Sequence, residues 1–445
     1  INKYLNLRYS NIQILFICAF IILFLNPFMI YDIGFIYSFI ICFGIFYYKD
    51  FIKGNYFIKL LKLSLITFLF SFPISIFINY EINLSSVFIN MVFVPLVSVI
   101  VYPLALISFT FSFLNPVFNI LIALTNTLSS LFTKLSIFIN IPKVSIIFVF
   151  LLYIFILLFK YNKRCILYLL ITILIIKIIP RFDSNFYAYY LDVGQGDSAI
   201  LIYPNKSKVV MLDTGGKLNY SKYEWMISSK KYNISDNVIK FLKSKGITKI
   251  NYLILTHGDY DHIGEANNLV IKFKVEKVIF NCGSYNDLEK ELIKVLDKKN
   301  IKHYSCIKEL NVDNNKLYFL QTKEYDNEND NSNVIYTKMN GYKFMFMADA
   351  GIEKEKDILG EYDISNIDVL KVGHHGSKTS SSRTFIDEIN PKYSIISVGK
   401  NNRYGHPNKE VLNNLENSKI YRTDQNGSIM FKIKNNKLKI ETCNP

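Results

Sequence analysis

"LILTHGDYDHIGE", residues 253–265, runs from an apolar strand-like segment straight into His257, Asp259, Asp261 and His262. Imidazole and carboxylate are the ligand types that zinc, manganese and similar ions take. A solvated loop with an aspartate capping a helix over 263–273 would also read this way, but a cap needs one aspartate rather than two with two histidines. The stretch therefore predicts a metal-competent turn at the C-terminal end of a strand.

Two further segments repeat the pattern. "MFMADA" places Asp349 after a strand over 342–347, and "LKVGHHGSKTSSS" places His374 and His375 after another. Three strands thus each end on metal-competent groups, and paired divalent ions would activate water at neutral pH. The chain has six histidines, and only His303, in "NIKHYSC", lies outside these compact polar motifs and "NNRYGHP". "LDVGQGDS" (191–198) and "LDTGG" (212–216) add Asp197 and Asp213 beside glycines. These are turn chemistry, orientation of ligands by hydrogen bonding, or both. Arg403 and His406 of "NNRYGHP", with Ser377, Lys378 and Thr379, offer donors suited to a phosphate; a polar loop ending at Pro407 is the plainer account.

Outward from these motifs the chain has two textures. Residues 183–445 alternate short β-rich runs ("FYAYYLDV", "SAILIY", "YKFMFMADA", "SIMFKI" and others) with helical patterns at 235–245, 263–273 and 286–299. That mixture predicts a layered α/β unit with stacked sheets. "EYDNENDNSN" (324–333) reads as a loop within it. Residues 1–182 instead carry apolar stretches of membrane-spanning character at about 12–30, 33–48, 62–79, 87–112, 117–139, 144–159 and 165–180. The basic connections holding Lys49, Lys53, Lys59 and Lys62, and Lys160, Lys163 and Arg164, are expected on the cytoplasmic side. Seven passes would then leave everything after Arg181 outside. Breakers such as Asn26-Pro27, Pro73, Pro95, Pro103 and Asn115-Pro116 read as features of an ordinary membrane bundle.

Charge argues in the same direction. The net +15 divides into +10 for residues 1–182, where 13 Lys/Arg face only Asp32, Asp50 and Glu81, and +5 for 183–445. Most of the excess belongs to membrane orientation, so the high pI is weak evidence for a DNA-binding surface. Six cysteines without a CxxC spacing indicate neither a disulfide framework nor a zinc ribbon. Ile1 in place of Met reads as a fragment or a processed product.

With these motifs assembled, the chain resembles the ComEC family of DNA-uptake competence proteins. "LDVGQGDS", "LDTGG", "THGDYDHIG", "ADAG", "LKVGHHGS", "NNRYGHP" and "YRTDQNGSI" stand in that family's order, and "LNPFMIYDIGFIYSF" (25–39) resembles its membrane signature. The resemblance implies a multi-pass α-helical membrane domain over 1–182, N-terminally incomplete, followed over 183–445 by an α/β metallo-β-lactamase-like αββα sandwich. It implies a channel that carries single-stranded DNA through the lipid bilayer, with an extracytoplasmic nuclease (phosphodiesterase) domain and two divalent metal ions, manganese or zinc. His257, Asp259, Asp261, His262, Asp349 and His374 are the implied ligands; Asp261, His375, Asp197 and Asp213 the implied catalytic set; Ser377, Lys378, Arg403 and His406 the phosphate contacts. A DNA-receptor protein and a cytoplasmic translocase are the implied partners. Departures are Asp259 where the wider superfamily has a histidine, and no histidine between His303 and His374, with Ser332 or Asn333 near that place. ADAG stands for a Thr-Gly-Asp pattern, and Gly264-Glu265 for a double glycine. Alternatives are a membrane-anchored hydrolase of another phosphoester and a non-catalytic DNA-binding channel domain.

Overall fold

The computed structural model describes residues 9–216 and 233–445 and divides the chain into two compact units. One comprises Ile1–Ile179 with Lys243–Gly246, and the other Pro180–Leu242 with Ile247–Pro445.

The first unit is helical. Each expected apolar stretch forms a helix; the runs at 33–48 and 144–159, whose length suits re-entrant or interfacial segments as well as full spans, are short as expected, and the first helix, Asn11–Leu25, is shorter than the run at 12–30 suggested. Among the described residues four are long and apolar enough to cross a bilayer: Tyr56–Asn79, Ser86–Thr110, Ser112–Leu135 and Cys165–Phe182. Asn11–Leu25, Ile33–Tyr47 and Ile146–Leu158 are shorter; at 15 residues or fewer they reach no further than about 22 Å, against a hydrocarbon core of about 30 Å. Breakers set several of these limits. Asn26 Oδ1 accepts from Phe28 N as the chain leaves the first helix, and the turn after Pro95 opens into a π-helical stretch, Leu96–Val101. A core of Phe70, Ile76, Ile141 and Leu152 holds the bundle, while Phe24, Phe109 and Phe113 stay exposed. A bundle apolar on its outside needs an apolar solvent. A short ribbon, β1 (Glu81–Asn83) with β2 (Phe138–Asn140), completes the unit.

The second unit is a four-layer sandwich. One sheet contains β3 (Phe186–Tyr190), β4 (Ala199–Ile202), β5 (Val209–Leu212), β6 (Lys249–Ile254), β7 (Lys274–Phe280) and β8 (Lys302–Ser305). The facing sheet contains β9 (Glu309–Val312), β10 (Asn315–Phe319), β11 (Ile335–Met339), β12 (Tyr342–Phe346), β13 (Val369–Lys371), β14 (Tyr393–Ile396) and β15 (Lys419–Arg422). The last two strands, β16 (Ile429–Lys434) and β17 (Lys437–Thr442), return to the first sheet, whose order is β17-β16-β3-β4-β5-β6-β7-β8. The second is ordered β15-β14-β13-β12-β11-β10-β9.

Burial follows from this layering. β4 and β5 are buried on both faces. Phe186, Tyr190, Phe344 and Phe431 fill the space between the sheets. Helices Ile234–Ser244, Ala266–Lys272 and Asp287–Lys298 cover the outside of the first sheet, and Ile352–Glu361, Arg383–Ile389 and Lys409–Asn414 the outside of the second. Where strands run parallel (β5 through β8, and β12 through β15), crossovers place successive C-terminal ends at one edge of the sandwich. The metal-competent groups after β6, β12 and β13 all lie at such ends.

Cys282 and Cys306 form a disulfide, with Cα atoms 4.7 Å apart, which the cysteine spacing did not indicate. The cause is register. β7 and β8 are parallel neighbours that pair Phe280 with Ser305, so both chains present a cysteine just past the same level.

Candidate metal centre

Asp213 organises the first half of the site. It follows β5 in a left-handed conformation (φ 55°), and its Oδ1 accepts from Thr256 N at 2.8 Å. Its Oδ2 accepts from Thr256 Oγ1 at 2.7 Å and pairs with His262 Nδ1 at 2.8 Å. A carboxylate in that position accepts a hydrogen bond from Nδ1–H, holding the proton there and leaving the Nε2 lone pair facing the centre. Asp259 precedes the short helix Tyr260–Ile263 but makes no side-chain capping bond, so capping does not account for it.

Asp349, after β12, is the hub. Its Oδ1 lies 3.2 Å from His262 Nε2, and its Oδ2 lies 3.9 Å from His257 Nε2, 3.7 Å from His375 Nε2 and 3.8 Å from His374 Nε2. Two ligand groups overlap here, His257 with His262 and Asp349, and Asp261 with His262 and His375, each with atoms within 4.8 Å of one another. Asp259 Oδ2 stands 3.6 Å from His257 Nε2 at the exposed rim.

The two adjacent histidines part company. His375, expected as a catalytic residue, is buried and points Nε2 at Asp261 Oδ2, 3.2 Å away, while its Nδ1 meets Ser397 O at 3.0 Å and Asp197 Oδ1 at 3.3 Å. His374, expected as a ligand, is more exposed, and its Nδ1 contacts Thr379 Oγ1 at 3.0 Å. Asp197 reaches His375 because Gly196 (φ 129°) lets the backbone close on Asp261; a Cβ there would sit 2.2 Å from Asp261 O.

Lys371 escaped the sequence reading. It is buried at the end of β13, with Nζ 2.7 Å from Asp197 Oδ2 and 3.0 Å from Val372 O. The available signal was a lysine inside the apolar run "VLKV". The loop 324–333 also does more than connect strands. Asn333 N donates to Thr256 O at 2.8 Å, and Glu328 Oε1 accepts from Gly258 N at 3.1 Å. The Asn333 amide is committed to Leu255 O, whereas the Ser332 hydroxyl is buried without a hydrogen-bond partner.

The expected phosphate contacts converge in part. His406 brings its ring within 6.1 Å of the His374 ring and stacks on Tyr404. Ser377 Oγ lies 3.0 Å from Thr379 Oγ1. Arg403 and Asp261 border a cavity of about 670 Å³ with Gln195, Lys400, Asn402 and Tyr404. Lys378 is exposed on its loop.

Charge in this cluster calls for a cation. Burial alone would push the Asp349 carboxyl up, but His262 and His375 hold it well below the usual carboxylate range. Burial likewise disfavours imidazolium at His262, yet Asp349 and Asp213 raise its pKa well above the ordinary value; His375 is carried to about 10 by Asp349 and Asp197 against the same burial. His374 is lowered by partial burial, which outweighs the support of Asp349. Nε2 of His257, His262 and His375 and Oδ1 of Asp349 are buried and make no hydrogen bond. Unpaired buried polar atoms are costly, and this donor set is the one divalent ions take.

Residues 1–164 match the competence protein family, and residues 191–400 the metallo-β-lactamase superfamily. The chain joins a competence-protein domain to a metallo-β-lactamase domain. Its membrane helices and family match make it a multi-pass membrane chain. It is 31% identical over 443 residues to ComE operon protein 3 of Bacillus subtilis, covering 93% of this chain and 57% of that protein. To competence protein ComA of Neisseria gonorrhoeae it is 28% identical over 247 residues, covering 54% of this chain and 31% of that one. The chain thus spans little more than half the length of the first relative and about a third of the second. Similar solved structures include a diphosphatase of the PhnP family (TM-score 0.35, 13% identity, 59% of this chain and 100% of that one). Another is CmlA, a diiron β-hydroxylase from Streptomyces venezuelae (TM-score 0.33, 13% identity, 52% and 47%). The metallo-β-lactamase fold implies divalent metal, and the unpartnered histidine and aspartate atoms fit it.

Proposed function

We propose that this protein takes part in DNA internalisation during transformation, its helical unit conducting a single strand and its sandwich acting as a metal-dependent phosphodiesterase on DNA. The observation that carries the proposal is the convergence of overlapping His/Asp groups that share His262 and Asp349, with buried unpartnered Nε2 atoms, in a chain that also holds a competence domain. His257, Asp259 and Asp349 would hold one ion, and Asp261, His262, His375 and Asp349 a second, with His374 at the rim. Such ions supply Lewis acidity and a low-pKa water. Asp213 and Asp197 fix the tautomers of His262 and His375. Arg403, His406, Ser377 and Lys378 would take the phosphate oxygens. The carboxylate share of the set favours manganese over zinc.

The sandwich is placed outside the cytoplasm, which the Cys282–Cys306 disulfide supports because such bonds persist in oxidising compartments. Loop charge supports the same side only when Ile146–Leu158 crosses, since the basic stretches 49–62 and 160–164 are separated by three of the long helices without it. On the outside a DNA receptor, and on the inside a translocase, are the partners this role requires.

The test is labelled single-stranded DNA incubated with the detergent-solubilised full chain and manganese or zinc, beside Asp261→Ala. Metal-dependent cleavage lost in the variant is expected. Intact DNA with demonstrated metal occupancy would refute the nuclease, and hydrolysis of a small phosphodiester under those conditions would point to another phosphoester.

A further inference from the structure

The β16–β17 hairpin carries four lysines in an arrangement that folding alone disfavours. Antiparallel register sets Lys432 directly opposite Lys439 and Lys434 opposite Lys437. Like charges facing each other across a ladder are destabilising. Lys432 and Lys434 alternate with Phe431 and Ile433, which are buried between the sheets, so all four ammonium groups belong to the outer face. Together with Asn435 they line a surface recess of about 400 Å³. Nearby acid is sparse. Glu441 pairs with Lys439 at 2.7 Å, and Asp183 is engaged by the Tyr187 hydroxyl at 2.8 Å. Lysine on an edge strand can serve only to block edge-to-edge pairing. That accounts for Lys437 and Lys439 on β17; Lys432 sits where β16 is paired on both sides, with its Nζ 5.5 Å from the Tyr187 ring centre, and Lys434 lies just beyond the β3 ladder, which ends at Ile433.

Position in the fold indicates what the recess meets. β16 is antiparallel to β3, and Lys432 lies in register with Tyr187. β3 runs parallel to β5 through the antiparallel β4. The lysines therefore occupy the end of the sheet opposite Asp213 and His257, away from the metal centre. Tyr187 is five residues past Phe182, where the apolar helix Cys165–Phe182 ends. Five extended residues span at most about 18 Å. Covalent continuity thus keeps Tyr187 within that distance of the end of the apolar helix, and the hairpin strands lie about 5 and 10 Å beyond it. Polybasic clusters this close to a bilayer surface bind anionic headgroups.

We infer that the hairpin lysines Lys432, Lys434, Lys437 and Lys439 form a docking patch for anionic phospholipid headgroups. The inference rests on the membrane placement of Cys165–Phe182 and not on the hydrolytic activity. The full chain, reconstituted in nanodiscs of phosphatidylcholine with or without phosphatidylglycerol, would be acetylated with an amine-reactive ester and read by mass spectrometry. Lys294, exposed on helix Asp287–Lys298, is the internal reference. Relative to Lys294, the four lysines should react about fivefold more slowly in the phosphatidylglycerol discs, the factor expected for a headgroup-bound lysine. High salt should abolish the difference. Lys434→Glu with Lys437→Glu should return Lys432 and Lys439 to their phosphatidylcholine rates. Equal rates in the two lipids would overturn the inference. So would slowing that required added single-stranded oligonucleotide rather than phosphatidylglycerol, which would assign the patch to nucleic acid.

Discussion

Asp213→Asn isolates the control of one histidine's tautomer. The wild-type carboxylate accepts three hydrogen bonds, from Thr256 N, Thr256 Oγ1 and His262 Nδ1. Asparagine is nearly isosteric and tolerates the left-handed backbone at this position, but it has one acceptor end and one donor end. If its oxygen faces Thr256 N, its amide N–H faces His262 Nδ1. The imidazole then protonates on Nε2, the atom that points at Asp349, and a protonated nitrogen cannot bind a metal. If the amide flips, two N–H donors face each other at Thr256, at a cost of about 1–3 kcal/mol. Loss of such an orienting carboxylate lowers metal affinity by about 10–100-fold, or about 1.4–2.8 kcal/mol. Equilibrium dialysis of manganese against the full chain measures this directly, and thermal melting controls for folding. A variant that melts like the wild type and binds manganese equally tightly would refute the assignment of His262 Nε2 as a ligand and of Asp213 as its orienter.

Two other outcomes are expected. Lys371→Met leaves the buried Asp197 carboxylate without its lysine and should destabilise the sandwich by about 3–5 kcal/mol; adding Asp197→Asn should recover part of that. Hydrogen exchange at β4 and β13 reads both, and equal loss in the single and double variants would deny the pairing. Burial raises the Glu355 carboxyl from its ordinary 4.5 to about 7, although Ser381 N and Ser382 N donate to it. The folded state then binds this proton more tightly than the unfolded state. Its stabilising contribution is full below about pH 4.5 and is lost as pH rises through about 7, on the order of 3 kcal/mol. Glu355→Gln should flatten the melting temperature over that window, and a slope unchanged by the substitution would rule the effect out.

Much of the site was legible because spacing constrains it. Asp261 and His262 follow β6 within eight residues, on the short helix Tyr260–Ile263, so wherever that strand goes they arrive with His257. The same holds for Asp349 after β12. The division into apolar and polar halves was equally plain, since each segment's composition suits only one solvent. What eluded the sequence lay in shorter or more polar elements. β11, β15 and β17 carry lysines and threonines that dilute their apolar runs, and helix Ile352–Glu361 is mostly charged.

By itself, then, the sequence determined which strands end in metal-competent groups and which helices are oily. Tertiary structure decided how those groups face. His374 and His375 sit on consecutive left-handed residues (φ 45° and 53°), where neither a period of two nor one of 3.6 assigns a side; only the packing of Asp197 and Ser397 against His375 turns its Nε2 inward. Lys371 and Asp197 belong to different sheets, and Cys282 and Cys306 to strands joined through a crossover helix. Pairings of that kind depend on register between distant segments, which no local pattern encodes.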